Sequence, residues 1–308
     1  MRVVFMGTPD FAVPCLQKLI DCGHEVTGVF TQPDKPQGRK MIMTPPPVKV
    51  LAEQNGIKVY QPLKMKDGTA LEMLKEADPE LCIVVAYGKI LPKEILDYPK
   101  YGCINIHASL LPKLRGAAPI QWSIINGFDK TGVTSMQMDE GLDTGDMLIM
   151  RDTPIGENMN AGELHDELSA LGASVLEETI DALLRNELRP EKQNHDEFTY
   201  APMLSKELSP VDWNASAKEI HNKIRGLSPW PSANAKLHGK TVKLHKSALT
   251  DIKGKKAGEI VEAGKRLVVC CGDMNCIEIL NLQTEGKKAM SSADFMRGNQ
   301  LNIGDMFE

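Results

Sequence analysis

No stretch of this 308-residue chain approaches the roughly 18 consecutive apolar residues that a membrane helix needs. The opening Met1-Arg2-Val3-Val4-Phe5-Met6-Gly7 runs straight into a folded pattern instead of a signal peptide. A cytoplasmic protein without a membrane partner is therefore expected, and the lack of a transit peptide favours a bacterial cytoplasm over an organelle. Low-complexity tracts and internal repeats are absent as well. With 42% hydrophobic and 25% charged residues, the composition excludes disordered and fibrous classes. At about 100–200 residues per domain, the length suggests two domains.

Metal-binding and nucleotide-binding patterns are also missing. The seven cysteines, at positions 15, 22, 82, 103, 270, 271 and 276, are odd in number, and Cys270-Cys271 with Cys276 form neither a spaced Cys-x-x-Cys pair nor a pair beside a histidine. All seven read as packing thiols in a reducing compartment. The turn Gly7-Thr8-Pro9-Asp10-Phe11 lacks the second and third glycines of a dinucleotide site, and no Gly-x-x-x-x-Gly-Lys-Ser/Thr loop occurs. A single triplet Asp143-Thr144-Gly145 stands alone, whereas aspartic proteases need two copies to share one proton.

What is present is an alternation of strand and helix signals. Val3–Met6, Val26–Phe30, Lys58–Tyr60, Leu81–Ala86 and Cys103–Ile106 read as strands, with helical segments between most of them. Thr8-Pro9 reads as the cap and first position of a helix that Gly23 stops. Val133–Met138 and Met147–Met150 follow as strands, then a long amphipathic helix at Ala161–Leu184. This pattern predicts an α/β domain with a mainly parallel sheet covered on both faces, binding its ligand beyond the carboxyl ends of the strands. Glu187–Pro210 is polar, carries three prolines and has no sustained period, so it reads as a linker. After a helix near Ala215–Ile224 come short strands at Thr241–Leu249, Ala257–Val261, Leu267–Cys271 and Cys276–Leu282, which suggest a small barrel of the oligonucleotide-binding type.

Charge is divided between the two halves. From Lys206 onward there are 16 Lys/Arg against 12 Asp/Glu, a balance of +4, whereas residues 1–205 carry 20 against 29, a balance of −9. An acidic body with a basic tail domain points to a polyanionic partner, the alternative being a solvated lysine face.

The most informative segment is Cys103-Ile104-Asn105-Ile106-His107. A strand's period of two puts Asn105 and His107 on one face at its carboxyl end, with Ile104 and Ile106 on the other. An amide and an imidazole together suit acyl-group chemistry, since one donates to a developing oxyanion and the other moves protons near neutral pH. Either that or a polar strand end satisfied by backbone fits the spacing. Asp143, bracketed by Gly141 and Gly145, is either a turn residue or the partner that orients His107.

Asn105-x-His107, followed by Ser109-Leu110-Leu111-Pro112 and Arg115-Gly116-Ala117-Ala118-Pro119-Ile120, with Gly141-Leu142-Asp143-Thr144-Gly145 downstream, resembles the formyltransferases that use 10-formyltetrahydrofolate. The runs Phe5–Ala12, Thr31-Gln32-Pro33-Asp34 and Pro229-Trp230-Pro231 resemble the branch of that family that acts on methionyl-tRNA, and the resemblance covers essentially the whole chain. It implies an α/β fold class, a Rossmann-like formyltransferase domain at 1–189, a linker at 190–208 and a small OB-like β-barrel that binds tRNA at 209–308. It also implies transfer of a formyl group from 10-formyltetrahydrofolate to the α-amino group of charged initiator methionyl-tRNA, for translation initiation, by a monomeric enzyme that needs no metal.

By match to the motif, Asn105, His107 and Asp143 form the catalytic trio, and Ser109, Leu110, Leu111 and Pro112 line the folate site. Asn105 would donate to the oxyanion, and His107 would relay a proton, oriented by Asp143. The proline-rich loop Pro33–Pro47 is either a stiff solvated loop or, as the family implies, a tRNA contact through Arg39 and Lys40. In the second domain Lys236, Lys240, Lys243 and Lys246 would track tRNA phosphates, with Lys240 and Lys243 the named candidates. Leu114 and Asn234 depart from the aromatics that relatives often carry at or near these positions. A transferase acting on a small amine such as glycinamide ribonucleotide or an amino sugar, a formyl hydrolase, and a non-enzymatic RNA-binding protein are the competing readings.

Overall fold

The computed structural model describes residues 1–38 and 41–308; Arg39 and Lys40 lie outside the described residues. The chain divides into two compact units, one of Met1–Gly116, Gly132–Thr153 and His165–Tyr200, the other of Ala117–Thr131, Pro154–Leu164 and Ala201–Glu308. The units do not follow chain order. In the second unit Ala118, with Trp122 and Ile125 packed beside it, joins the core of Ile224, Leu227 and Leu244. Gly226 carries no side chain at this packing, where a Cβ would fall 2.6 Å from Ile125.

The first unit is built on a seven-stranded sheet with the spatial order Met147–Pro154, Lys130–Gln137, Cys103–His107, Leu81–Val85, Arg2–Gly7, Glu25–Phe30 and Val59–Tyr60. Its central pairings are parallel, and Lys130–Gln137 runs antiparallel to Cys103–His107. Leu81–Val85 is buried along its whole length, as its unbroken apolar run predicts. The helix Ala161–Leu184 forms at the expected residues, and Ile106 lies against its Gly172.

Two local expectations are corrected. Thr8 caps no helix: its hydroxyl donates to the Tyr87 carbonyl at 3.0 Å and accepts from the Gln32 amide at 3.2 Å, while the α-helix starts only at Val13 after a 3-10 turn. Cys22 is exposed, unlike the other six cysteines, because it follows the last turn of Val13–Asp21 and so falls off the buried stripe; its thiol reaches Glu177.

The second unit carries an antiparallel sheet in the order Ala233–Leu237, Lys240–Lys253, Asn275–Thr284, Leu267–Cys270 and Ile260–Ala263. The last residues close it, with Leu237 bridged to Phe307 and Glu259 to Met306. Closure removes the exposed edges that an open sheet would leave. Phe307 is 2% exposed and packs on Trp213 with ring centroids 5.4 Å apart. The strand Ala233–Leu237 and the helix Ser292–Gly298 are not legible from hydrophobic pattern.

Candidate active site

The Cys103–His107 strand sits between Leu81–Val85 and Lys130–Gln137, so Asn105 lies opposite Val84 and Met136, and His107 opposite Thr134. Alternation holds: Ile106 packs toward the long helix, and Cys103, Asn105 and His107 share the other face. Asn105 is 9% exposed and His107 6%. Among the described residues the Asn105 side-chain amide has no hydrogen-bond partner. The amide is not among the fully buried side-chain atoms that lack a partner, so it keeps an opening through which solvent or a ligand reaches it.

His107 has two neighbours. Its Nε2 lies 3.0 Å from the Leu114 carbonyl, and its Nδ1 lies 3.8 Å from Asp143 Oδ2. A carbonyl only accepts, so Nε2 carries the proton it donates there, and Nδ1 is the nitrogen that faces the carboxylate. At 3.8 Å this pair is an electrostatic contact, too long for a hydrogen bond. The structure thus brings His107 and Asp143 together from segments about 36 residues apart in sequence.

Asp143 sits at φ 53°, a left-handed conformation, and its Oδ2 accepts the Gly116 N–H at 2.7 Å. The bracketing Gly145 has a close-approach reason: a Cβ there would fall 1.8 Å from the Gln137 carbonyl oxygen. The Leu114 side chain is 1% exposed; what this position contributes to the site is its carbonyl, held by Leu114 N–H donating to Thr199 Oγ1 at 2.9 Å.

The candidate folate residues divide. The Ser109 hydroxyl is spent on the Lys113 carbonyl at 2.7 Å, and the Ser109 carbonyl accepts from Thr134 Oγ1 at 2.7 Å. Leu111 is buried, whereas Leu110 and Pro112 are half-buried. Near the first turn a cavity of about 320 Å³ is lined by Thr8, Asp10, Gln32, Lys35 and Pro46 among others. The adjacent Asp34 is held by Gln61 and Lys49, which keep its carboxyl below the usual carboxylate range.

The stretch read as a linker carries long-range contacts. Glu191 pairs with Met147, Gln193 is buried, and Thr199 bonds both Leu114 and Arg115 through its hydroxyl and carbonyl. Nothing in the local pattern around Gln193 marks it, because a buried polar residue that serves distant backbone leaves no periodic signal.

Two family models match the chain, "Formyl transferase" over residues 1–180 and "Formyl transferase, C-terminal domain" over residues 203–300. The methionyl-tRNA formyltransferase of Clostridioides difficile is 48% identical over 305 residues, covering 99% of both chains. That of Citrifermentans bemidjiense is 50% identical over 307 residues, covering 99% of this chain and 96% of the relative. The chain belongs to the methionyl-tRNA formyltransferases. It is a formyl-transferring enzyme. Among solved structures, the sugar 3N-formyl transferase WlaRD, determined in the presence of dTDP and 5-N-formyl-THF, superposes with a TM-score of 0.68 at 20% identity, over 94% of this chain and 99% of that one. HypX from Aquifex aeolicus in complex with tetrahydrofolic acid gives a TM-score of 0.63 at 19% identity, and the chain spans 47% of its length. At such identities these structures speak for the fold. Among the described residues no helix is long and apolar enough to cross a membrane, and no group of three or more His, Cys, Asp and Glu is placed to hold a metal ion.

Proposed function

We propose that Asn105, His107 and Asp143 carry the transfer of a formyl group from 10-formyltetrahydrofolate to the α-amino group of initiator methionyl-tRNA. The observation that carries this reading is the Asn105 amide, without a protein partner among the described residues, on the same strand face as a histidine whose Nδ1 faces the Asp143 carboxylate at 3.8 Å. The folate supplies an activated formyl carbon; everything else falls to the chain's own groups. As the amine adds, charge grows on the formyl oxygen, and an amide N–H already free of protein partners is a preorganised donor for it. The lone pair at His107 Nδ1 takes the proton the amine must lose and returns it toward the departing nitrogen. Asp143 Oδ2, held by the Gly116 N–H, balances the imidazolium while it exists. Half-buried Leu110 and Pro112 offer apolar surface to the folate ring, while Ser109 and Leu111 shape the turn through their bonds to Lys113 and Thr134.

The tRNA is held by charge. Lys236, Lys240, Lys243 and Lys246 are all exposed on the strands Ala233–Leu237 and Lys240–Lys253, and Lys236 stands opposite Thr241, two residues before Lys243. Arg39 and Lys40 are assigned to the same partner. Replacing Lys240 and Lys243 by alanine is expected to weaken tRNA binding and to lower the slope of log affinity against log salt by about one for each phosphate no longer neutralised. Binding curves between low and moderate salt that overlay those of the parent would remove both lysines from the interface. The same reading makes the enzyme a cytoplasmic monomer, and its seven free cysteines suit a reducing compartment.

The test is a formyl-transfer assay with 10-formyltetrahydrofolate, offering charged initiator methionyl-tRNA, charged elongator methionyl-tRNA and glycinamide ribonucleotide in parallel. Formylation of the initiator alone is expected. Turnover with only the small amine would overturn the substrate assignment and return the lysine face to a solvated surface.

A further inference from the structure

Asp143 is gripped from behind by two side chains that the reaction itself does not require. Gln193 Nε2 donates to the Asp143 carbonyl at 2.9 Å and to the Gly145 carbonyl at 2.8 Å. The other end of the same amide, Oε1, accepts from Arg115 Nε at 3.0 Å and Nη2 at 2.7 Å. Gln193 is 4% exposed and Arg115 2%. Arg115 is also covered by the Phe198 ring, 5.1 Å from the guanidinium carbon. Its neighbour Gly116 donates to the Asp143 carboxylate. A closed ring results: the Arg115 guanidinium, the Gln193 amide, the Asp143 backbone, the Asp143 carboxylate and the Gly116 amide, back to Arg115.

The chemistry of Gln193 shows which of its ends matters. A buried guanidinium is best compensated by a carboxylate. The position holds an amide, which leaves Arg115 without a carboxylate partner among the described residues, its guanidinium otherwise reaching His195 Nδ1 at 3.4 Å, but supplies two N–H donors to the Asp143–Gly145 turn. That turn needs them, since a non-glycine residue at positive φ, as Asp143 is at 53°, persists only where its surroundings over-determine it. We infer that Gln193, anchored by Arg115, is a positioning residue that holds Asp143 Oδ2 toward His107 Nδ1. The inference rests on the catalytic reading of Asp143 given above.

Gln193→Glu separates the two ends of the amide. It keeps the acceptor for Arg115 and adds its missing countercharge, but it replaces the two donors by an oxygen facing two carbonyls. Single-turnover formyl transfer is measured for Gln193→Glu, Asp143→Asn and the double variant, with KM for both substrates and a thermal melt for each. The expected result is a fall in kcat of about tenfold to hundredfold for Gln193→Glu, with both KM values unchanged and no fall in Tm. In the Asp143→Asn background the same substitution is expected to cost less than about twofold, since its effect passes through Asp143. An undiminished kcat for Gln193→Glu, or an equal fold-loss in both backgrounds, overturns the inference. Full turnover by Asp143→Asn itself would instead overturn the catalytic reading of Asp143. Should Gln193→Glu melt early, Gln193→Met, of similar shape but without donors, carries the same comparison.

Discussion

His107→Ala is expected to lower kcat for formyl transfer by about 10²–10⁴-fold, the range over which a positioned acid–base group contributes. The imidazole is buried, and both of its nitrogens are already committed to a direction: Nε2 to the Leu114 carbonyl at 3.0 Å, Nδ1 toward Asp143 Oδ2 at 3.8 Å. Along that face of the strand the next inward residue is Asn105, whose amide cannot take up a proton in its place. The loss belongs in kcat, because the ring handles a proton that moves only as the new C–N bond forms. Rapid-quench measurement with saturating charged tRNA and folate checks this, alongside a melt to show that the variant is folded. A folded His107→Ala enzyme with near-parental turnover would remove the histidine from the chemistry.

Asn105→Ala is expected to lower kcat by about 10²–10³-fold, equivalent to about 2.7–4 kcal/mol, the effect of deleting one donor to an oxyanion. Its effect on stability should be small by comparison. The amide satisfies no described protein group, so its removal orphans nothing, whereas most buried polar deletions strand a partner. Activity lost without stability lost is the signature of a group kept for a transition state. Asn105→Asp sharpens the comparison, since it keeps the shape, offers no N–H when ionised and sets a negative charge against the developing one. It should lose at least as much as the alanine variant. Parallel kcat and urea-unfolding measurements decide the matter, and an Asn105→Ala enzyme that is destabilised but catalytically intact would make Asn105 a packing residue.

The fold is legible in the sequence to the extent that it is written in short-range pattern. The apolar runs at Arg2–Gly7 and Leu81–Val85, the helix Ala161–Leu184 and the alternation through Asn105 and His107 are periodic signals, and the structure reproduces them within a residue or two. The strand Ala233–Leu237 escapes such a reading because it follows directly on the proline-rich Pro229-Trp230-Pro231 and is completed by partners from the end of the chain. Cys22 departs from its expected burial because it stands just past the end of Val13–Asp21, and residue type alone does not report where a helix ends.

By itself the sequence determined the two-part organisation, the charge division and the shared face of Asn105 and His107, because each depends on composition or on neighbours one or two residues apart. Its motifs carried the family. Tertiary structure alone decided how Asp143 reaches the histidine, which carbonyl accepts from its Nε2, and how Glu191, Gln193 and Thr199 bond to Met147, Asp143 and Leu114. Apart from the His107–Leu114 bond, which spans seven positions, the contacts responsible join residues from about 27 to about 85 positions apart, such as Gly116 to Asp143 and Leu114 to Thr199. Each of these hydrogen bonds has a backbone group at one end, and a backbone group carries no residue identity that a sequence could display.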